Sequence, residues 1–122
     1  MYRLNVKTHF SAAHHLQDYQ GACQNLHGHN WKVGVQIICQ ETDEIGLTID
    51  YKVVKKHINK IMDILDHQYL NKLKVFDGIN PTSENIAKYI YKELEKNIKK
   101  KGCKISVVEV WESDNTSMAY FE

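Results

Sequence analysis

The feature of this chain that most constrains its fold is a change in hydrophobic period. Apolar and polar residues alternate from Tyr2 to Phe10, and a second alternating stretch runs from about His29 to Gln40. A period of two predicts β strands that bury one face. After Asp50 the apolar residues recur every three or four positions, which predicts an amphipathic helix with Asp50 as its N-cap. The chain therefore begins with two strands and continues into a helix.

The second half of the chain repeats these signals in the opposite order. A second helix is predicted after Pro81, capped by Thr82 or Ser83. Two further strands are predicted over residues 104–112 and 118–121. The order β-β-α-α-β-β predicts an α+β fold, in which a four-stranded antiparallel sheet carries both helices on one face. The two free edges of such a sheet favour pairing with another subunit.

Composition narrows the class of protein. The 122 residues contain no repeat or linker and predict one domain, residues 1–122. Sixteen basic residues against fifteen acidic ones argue against binding to nucleic acid or a membrane surface through bulk charge. We expect no membrane span and no secretory signal. Three cysteines without a C-x-x-C motif predict no disulfide scaffold and a cytoplasmic location, with Cys39 and Cys103 in the core.

The strongest local signal for chemistry is His27-Gly28-His29. Residues i and i+2 of a strand share a face, so the two imidazoles can converge on one ion. If the first two strands pair as a hairpin, His14 or His15 joins them as a third ligand. Three imidazoles with an open position are typical of catalytic zinc. Surface or hydrogen-bonded histidines are the alternative interpretation.

Other polar residues have two or more interpretations. Cys23 is a fourth ligand, a free thiol near the metal, or a small buried residue. Asp66 and His67 form either an acid–base relay or a polar helix end, because adjacent residues rarely hydrogen-bond each other directly. Glu112 is either solvated or, in a cleft, able to accept two hydrogen bonds from a guanidine-like heterocycle.

Six spaced motifs, in order along nearly the whole chain, resemble those of the 6-pyruvoyl-tetrahydropterin synthase family. They are Phe10-Ser11-Ala12-Ala13-His14, Cys23-x-x-x-His27-Gly28-His29, Gly46-x-x-x-Asp50-Tyr51, Leu65-Asp66-His67-x-Tyr69-Leu70-Asn71, Asn80-Pro81-Thr82-Ser83-Glu84-Asn85 and Glu112. The three-residue gap between Cys23 and His27 most resembles the branch of the queuosine pathway, the 6-carboxy-5,6,7,8-tetrahydropterin synthases. Gln68 stands where many members of that branch carry another histidine.

The resemblance implies a tunnelling fold (T-fold) and a set of residue roles. It implies that Zn²⁺ is bound by His14, His27 and His29. It implies that Cys23 is the catalytic base and that Asp66 and His67 form a proton relay. It implies that Glu112 anchors the pterin ring and joins the relay, with Thr82 and Ser83 helping to cradle the pterin.

The resemblance also implies an activity and an assembly. The expected enzyme is a lyase that converts 7,8-dihydroneopterin triphosphate, a small-molecule substrate, to 6-carboxy-5,6,7,8-tetrahydropterin with release of acetaldehyde and triphosphate. The expected homo-oligomer is a trimer or hexamer, with zinc ligands from one subunit and the glutamate from its neighbour. The alternatives are a 6-pyruvoyl-tetrahydropterin synthase, a non-catalytic pterin- and zinc-binding assembly protein, and an unrelated zinc hydrolase.

Overall fold

The computed structural model describes residues 1–122 as one sheet covered by two α helices. Its regular elements are β1 (Tyr2–His14), β2 (His27–Cys39), α1 (Tyr51–Leu65), β3 (Gln68–Tyr69), α2 (Ser83–Asn97), β4 (Cys103–Trp111) and β5 (Ser117–Tyr120). Short 3-10 helices lie at Ala22–Gln24, Leu70–Lys72 and Lys74–Phe76. The predicted α+β class is confirmed. None of the helices combines the length and apolar character that crossing a membrane requires.

The sheet differs from the predicted one by a single short strand. Its order is β3-β1-β2-β4-β5, and every neighbouring pair is antiparallel except β3 with β1. The prediction of a purely antiparallel, four-stranded sheet is therefore wrong. The extra strand pairs Gln68 and Tyr69 with Ala12 and Ala13. Two residues are too few to show an alternating pattern, so this strand has no periodic signal in the sequence.

The first two strands are longer than predicted at the end where the histidines lie. β1 continues to His14 and β2 begins at His27, so residues 11–14 and 27–28 belong to the strands. The register pairs Phe10 with Trp31, Ala12 with His29 and His14 with His27. Polar histidines at positions that continue the buried face interrupt the apolar–polar alternation, so the pattern underestimates the length of both strands.

Both helices pack on one face of the sheet around a core of 26 buried hydrophobic residues. Asp50 caps α1 by accepting a hydrogen bond from the backbone N–H of Lys52, as predicted. Thr82, rather than Ser83, caps α2 by accepting from the backbone N–H of Asn85. The buried helix residues are Val54, Ile58, Ile61, Met62 and Leu65 in α1, and Ile86, Ala87, Ile90, Tyr91 and Leu94 in α2.

A disulfide joins β2 to β4 at the end of the sheet remote from the histidines. Cys39 and Cys103 are direct partners in the antiparallel register, with their Cα atoms 4.1 Å apart. The expectation of two unlinked core cysteines is therefore wrong. The 64 residues between them conceal a contact that only the strand pairing creates.

Candidate metal centre

Three histidines and a glutamate converge where β1 and β4 end and β2 begins. His14 lies opposite His27, and His29 lies two residues along the same face of β2. Glu112 directly follows β4, whose last residue Trp111 pairs with Lys32 of β2. One ligand atom from each of the four side chains lies within 4.8 Å of all the others. The strand register thus assembles a group that could hold a metal ion.

Hydrogen bonds to backbone carbonyls fix the orientation of two of these rings. Nδ1 of His14 donates to the carbonyl oxygen of Pro81 at 2.8 Å, and Nδ1 of His27 donates to that of Asn25 at 2.7 Å. Because a carbonyl can only accept, these bonds leave Nε2 of both neutral rings with a lone pair. Metal-binding histidines commonly donate the N–H of one ring nitrogen to a carbonyl or carboxylate and bind the metal through the other nitrogen.

The Nε2 atoms of His14 and His29 are buried and have no hydrogen-bond partner. They lie 3.3 and 3.0 Å from Oε1 of Glu112, without hydrogen-bond alignment. Burial lowers the pKa of both histidines below the ordinary value, although the glutamate opposes this shift. A nitrogen lone pair facing a carboxylate oxygen is repulsive unless a cation lies between them. The donor set therefore fits a divalent cation such as Zn²⁺.

Glu112 reaches this group from the same chain. It does so because β4 pairs with β2 and ends beside His29. The expectation that a neighbouring subunit supplies the glutamate concerns an assembly and stays a prediction. Sequence reasoning did not place Glu112 next to the metal ligands, since the pairing of β2 with β4 has no local sequence signal.

His15 lies outside the group, although the sequence alone left it open as a ligand. It follows the last residue of β1, and its Nδ1 contacts the hydroxyl of Tyr69 in β3. His14, by contrast, is only 2% exposed and packs edge-on against Trp31. The two adjacent histidines therefore have different partners: His14 joins the group, and His15 contacts β3.

Cys23 lies beside the histidine group and is not one of its members. Its thiol is free and half-buried, and its sulfur is not among the clustered ligand atoms. It lines a cavity of about 210 Å³ together with His14, Glu112, Thr82 and Ser83. This position agrees with the interpretation of a free thiol near a metal.

Asp66 and His67 form a direct pair, contrary to the expectation for adjacent residues. Nδ1 of His67 lies 2.8 Å from Oδ2 of Asp66. The backbone of His67 is left-handed, with φ of 57°. The backbone N–H of Ser11 donates to Asp66 at 2.8 Å and, with His67, holds the pKa of that carboxyl below its ordinary value.

His67 and Cys23 line different cavities. The side chain of His67 is 82% exposed and lines a second cavity, of about 590 Å³, with His29 and Gln68. Within one chain, the structure therefore brings the predicted relay and the predicted base to different cavities, both of which adjoin the histidines.

Comparisons with known proteins agree with these features. The family model described as 6-pyruvoyl tetrahydropterin synthase matches residues 3–122. The 6-carboxy-5,6,7,8-tetrahydropterin synthase of Synechocystis sp. is 36% identical over 91 residues, covering 70% of this chain and 69% of the relative. That of Haemophilus influenzae is 28% identical and covers both chains completely. The solved structure of Caenorhabditis elegans 6-pyruvoyl tetrahydropterin synthase superposes with a TM-score of 0.89 at 26% identity, covering 99% and 95% of the two chains.

Proposed function

The chain belongs to the 6-pyruvoyl tetrahydropterin synthase family, and we propose that it is a zinc-dependent 6-carboxy-5,6,7,8-tetrahydropterin synthase of queuosine biosynthesis. The proposed reaction converts 7,8-dihydroneopterin triphosphate and water to 6-carboxy-5,6,7,8-tetrahydropterin, acetaldehyde and triphosphate. The observation that carries this proposal is the pair of buried, unpartnered Nε2 atoms that face Glu112 beside a free thiol.

The three imidazoles of His14, His27 and His29 would hold the zinc ion. When bound, zinc would supply Lewis acidity, which polarises the side-chain oxygens of the substrate and makes the neighbouring C–H more acidic. Cys23, in the adjoining cavity, would accept that proton as a thiolate. Thr82 and Ser83 line the same cavity as the thiol and would help to hold the pterin.

Glu112 would bind the pterin once a cation occupies the histidine group. The lone pairs of the histidine nitrogens would then be used by the metal. The carboxylate of Glu112 would be free to turn towards the N–H groups of the substrate ring. Two such hydrogen bonds to a carboxylate give both strength and orientation. If Glu112 were instead a fourth ligand, the site would be closed, as in structural zinc sites.

The Asp66–His67 pair would move the second proton of the reaction. Nδ1 of His67 lies 2.8 Å from Asp66, which also accepts from the backbone N–H of Ser11, and the His67 side chain is largely exposed to solvent. The large exposure of His67 also suits a site completed by another subunit. We propose a homo-oligomer, a trimer or hexamer, because the outer edges of β3 and β5 are unpaired in the single chain.

One assay separates this activity from its alternatives. Purified, zinc-loaded protein is incubated with 7,8-dihydroneopterin triphosphate, and acetaldehyde, triphosphate and pterin products are measured. Acetaldehyde with the carboxy product supports the proposal, which the names of the relatives and the short Cys23–His27 spacing favour. A pyruvoyl pterin without acetaldehyde would identify the 6-pyruvoyl synthase, and pterin binding without release of triphosphate would identify a non-catalytic protein.

A zinc hydrolase is the remaining alternative from sequence. Glu112 does supply a carboxylate beside the histidines, which such an enzyme requires. Membership of the pterin synthase family and the free thiol in the adjoining cavity favour the synthase.

A further inference from the structure

The segment that follows β1, residues 15–17, is hydrogen-bonded although no strand lies beside it. β3 ends at Tyr69 and pairs only with Ala12 and Ala13. His15 and Gln17 nevertheless have their backbone groups satisfied by two asparagine side chains, which lie 56 and 63 positions further along the chain. The resemblance singled out both asparagines within motifs, and the proposed chemistry uses neither.

The side-chain amide of each asparagine hydrogen-bonds to both the backbone N–H and the backbone carbonyl of one residue. Oδ1 of Asn71 accepts from the N–H of His15 and its Nδ2 donates to the carbonyl of His15, both at 2.9 Å. Oδ1 of Asn80 accepts from the N–H of Gln17 at 2.9 Å, and its Nδ2 donates to the carbonyl of Gln17 at 3.0 Å. A primary amide carries the same donor and acceptor as a peptide group. The two side chains therefore do what a longer β3 would do.

The segment held by the two asparagines is connected to two residues of the candidate site, His14 and Cys23. His14 precedes them, and its ring donates to the carbonyl of Pro81, the residue after Asn80. Leu16 lies between the two clamped residues, and its backbone N–H donates to the carbonyl oxygen of Cys23 at 2.8 Å. One short segment therefore connects both asparagines to a metal ligand and to the thiol.

The asparagines are themselves anchored to the scaffold. Asn71 lies in the 3-10 helix Leu70–Lys72, whose first residue is fully buried. The carbonyl of Asn80 accepts from Nδ2 of Asn85 in the first turn of α2, at 2.8 Å. The bonds of Asn71 are partly buried and those of Asn80 are exposed. Water competes more with exposed bonds, so Asn71 contributes more.

We propose that Asn71 and Asn80 are positioning residues, whose side-chain amides hold the segment His14–Gln17 and thereby set the placement of the metal ligand His14 and of Cys23. The part that concerns Cys23 rests on the proposed function. The part that concerns His14 is tested by metal binding alone.

The experiment compares Asn71→Ala and Asn80→Ala with Asn97→Ala in the full chain. Asn97 also donates its amide to a backbone carbonyl, but at the end of α2, away from the site. Hydrogen exchange of the His15 and Gln17 amides reports the loss of each clamp directly. Co²⁺, used as the probe metal, reports ligand geometry through its visible spectrum and affinity. Iodoacetamide reports the placement of Cys23 in metal-free protein.

We expect Asn71→Ala to expose the His15 amide to exchange, weaken Co²⁺ binding about tenfold and change its spectrum, as loss of an outer partner of a metal ligand does. The alkylation rate of Cys23 should change several-fold. Asn80→Ala should act in the same direction to a smaller extent, and Asn97→Ala should leave all three measurements unchanged.

The proposal is overturned if exchange shows that a clamp is lost while Co²⁺ affinity, its spectrum and the alkylation rate all match those of Asn97→Ala. If Asn71→Ala does not fold, Asn71→Asp, which keeps the acceptor and loses the donor, and Asn80→Ala decide by the same criteria. Wild-type protein that binds Co²⁺ normally but releases no triphosphate from the pterin would contradict the proposed function and leave the clamp intact.

Discussion

The alternation of buried and exposed residues continues to both ends of β2, but the two ends differ in what their inward-facing side chains do. Trp31, Val33, Val35 and Ile37 form the middle of its inner face and are at most 1% exposed. Beyond them, Cys39 at one end is bonded to its direct partner in β4. At the other end, His27 and His29 meet side chains from two further strands.

The difference shows what each end requires from the fold. The cysteine end needs only the register of two strands, and it contributes a covalent link. The histidine end needs three strands and two backbone carbonyls, and it buries polar nitrogens that no protein group satisfies. Burying unsatisfied polar atoms costs stability. We therefore expect variants at one end to change chemistry and variants at the other to change the free energy of unfolding.

The largest effect is expected for His27→Ala, which should abolish metal binding and lower turnover at least a thousandfold, or about 4 kcal/mol. Metal content per chain and the acetaldehyde assay measure the two losses. His15→Ala is the matched control, because His15 is next to the ligand His14 in the sequence but contacts Tyr69 instead of the group. Equal loss of metal in both variants would contradict the assigned ligand set.

Cys23→Ala should keep the metal and lose most of the turnover. Removal of a general base lowers rates by about 10²–10⁴-fold, while the cavity position of the thiol leaves the ligands untouched. Metal stoichiometry and kcat, measured on the same sample, test this. A Cys23→Ala protein that lost its metal would make Cys23 a ligand and reverse the assignment.

At the opposite end, Cys103→Ser should lower the free energy of unfolding by about 2–4 kcal/mol, the usual contribution of a disulfide that closes a long loop. Metal content and turnover of the folded protein should not change. Denaturant unfolding with and without a reductant measures the effect. Wild-type protein that is equally stable with and without reductant would show that this link contributes nothing.

Much of the fold could be predicted because its strands and helices carry clear periods. The α1 stripe, the caps Asp50 and Thr82 and the inner face of β2 all follow from local sequence. The parallel strand β3 could not be predicted, since two residues have no period. The Cys39–Cys103 pair could not either, because strand pairing alone brings the two residues together. The cytoplasmic location rested on the cysteine count and stays a prediction.

The candidate site was predicted unevenly for a similar reason. His27 and His29 share a face by spacing alone, and His14 follows once β1 and β2 pair. The choice of His14 over His15 came from the resemblance, and its physical basis is that His14 is paired with His27 in the strand register whereas His15 contacts Tyr69. The position of Glu112 beside the histidines depends on the register of β4, which no local pattern encodes.

Glu112→Gln sharpens the comparison within the histidine end itself. If Glu112 binds the pterin, the variant should retain its metal and lose about 1.5–3 kcal/mol of substrate binding, the usual worth of a charged hydrogen bond. The measured change would be a rise in KM of about 10–100-fold. Loss of metal without a change in KM at full zinc loading would identify Glu112 as a fourth ligand.

The smallest effect is expected for substitution of Asp66, whose carboxylate accepts a hydrogen bond from the backbone N–H of Ser11 in β1. Its lowered pKa means that Asp66 stabilises the fold above the ordinary carboxyl pKa of about 3.9. That contribution is lost as the pH falls through the lowered value in the folded protein. Asp66→Asn should therefore lower Tm slightly at pH 7, and the two proteins should converge on acidification. Parallel curves of Tm against pH would show that the charge of Asp66 is not what this contact uses, because the amide oxygen of Asn can still accept from Ser11.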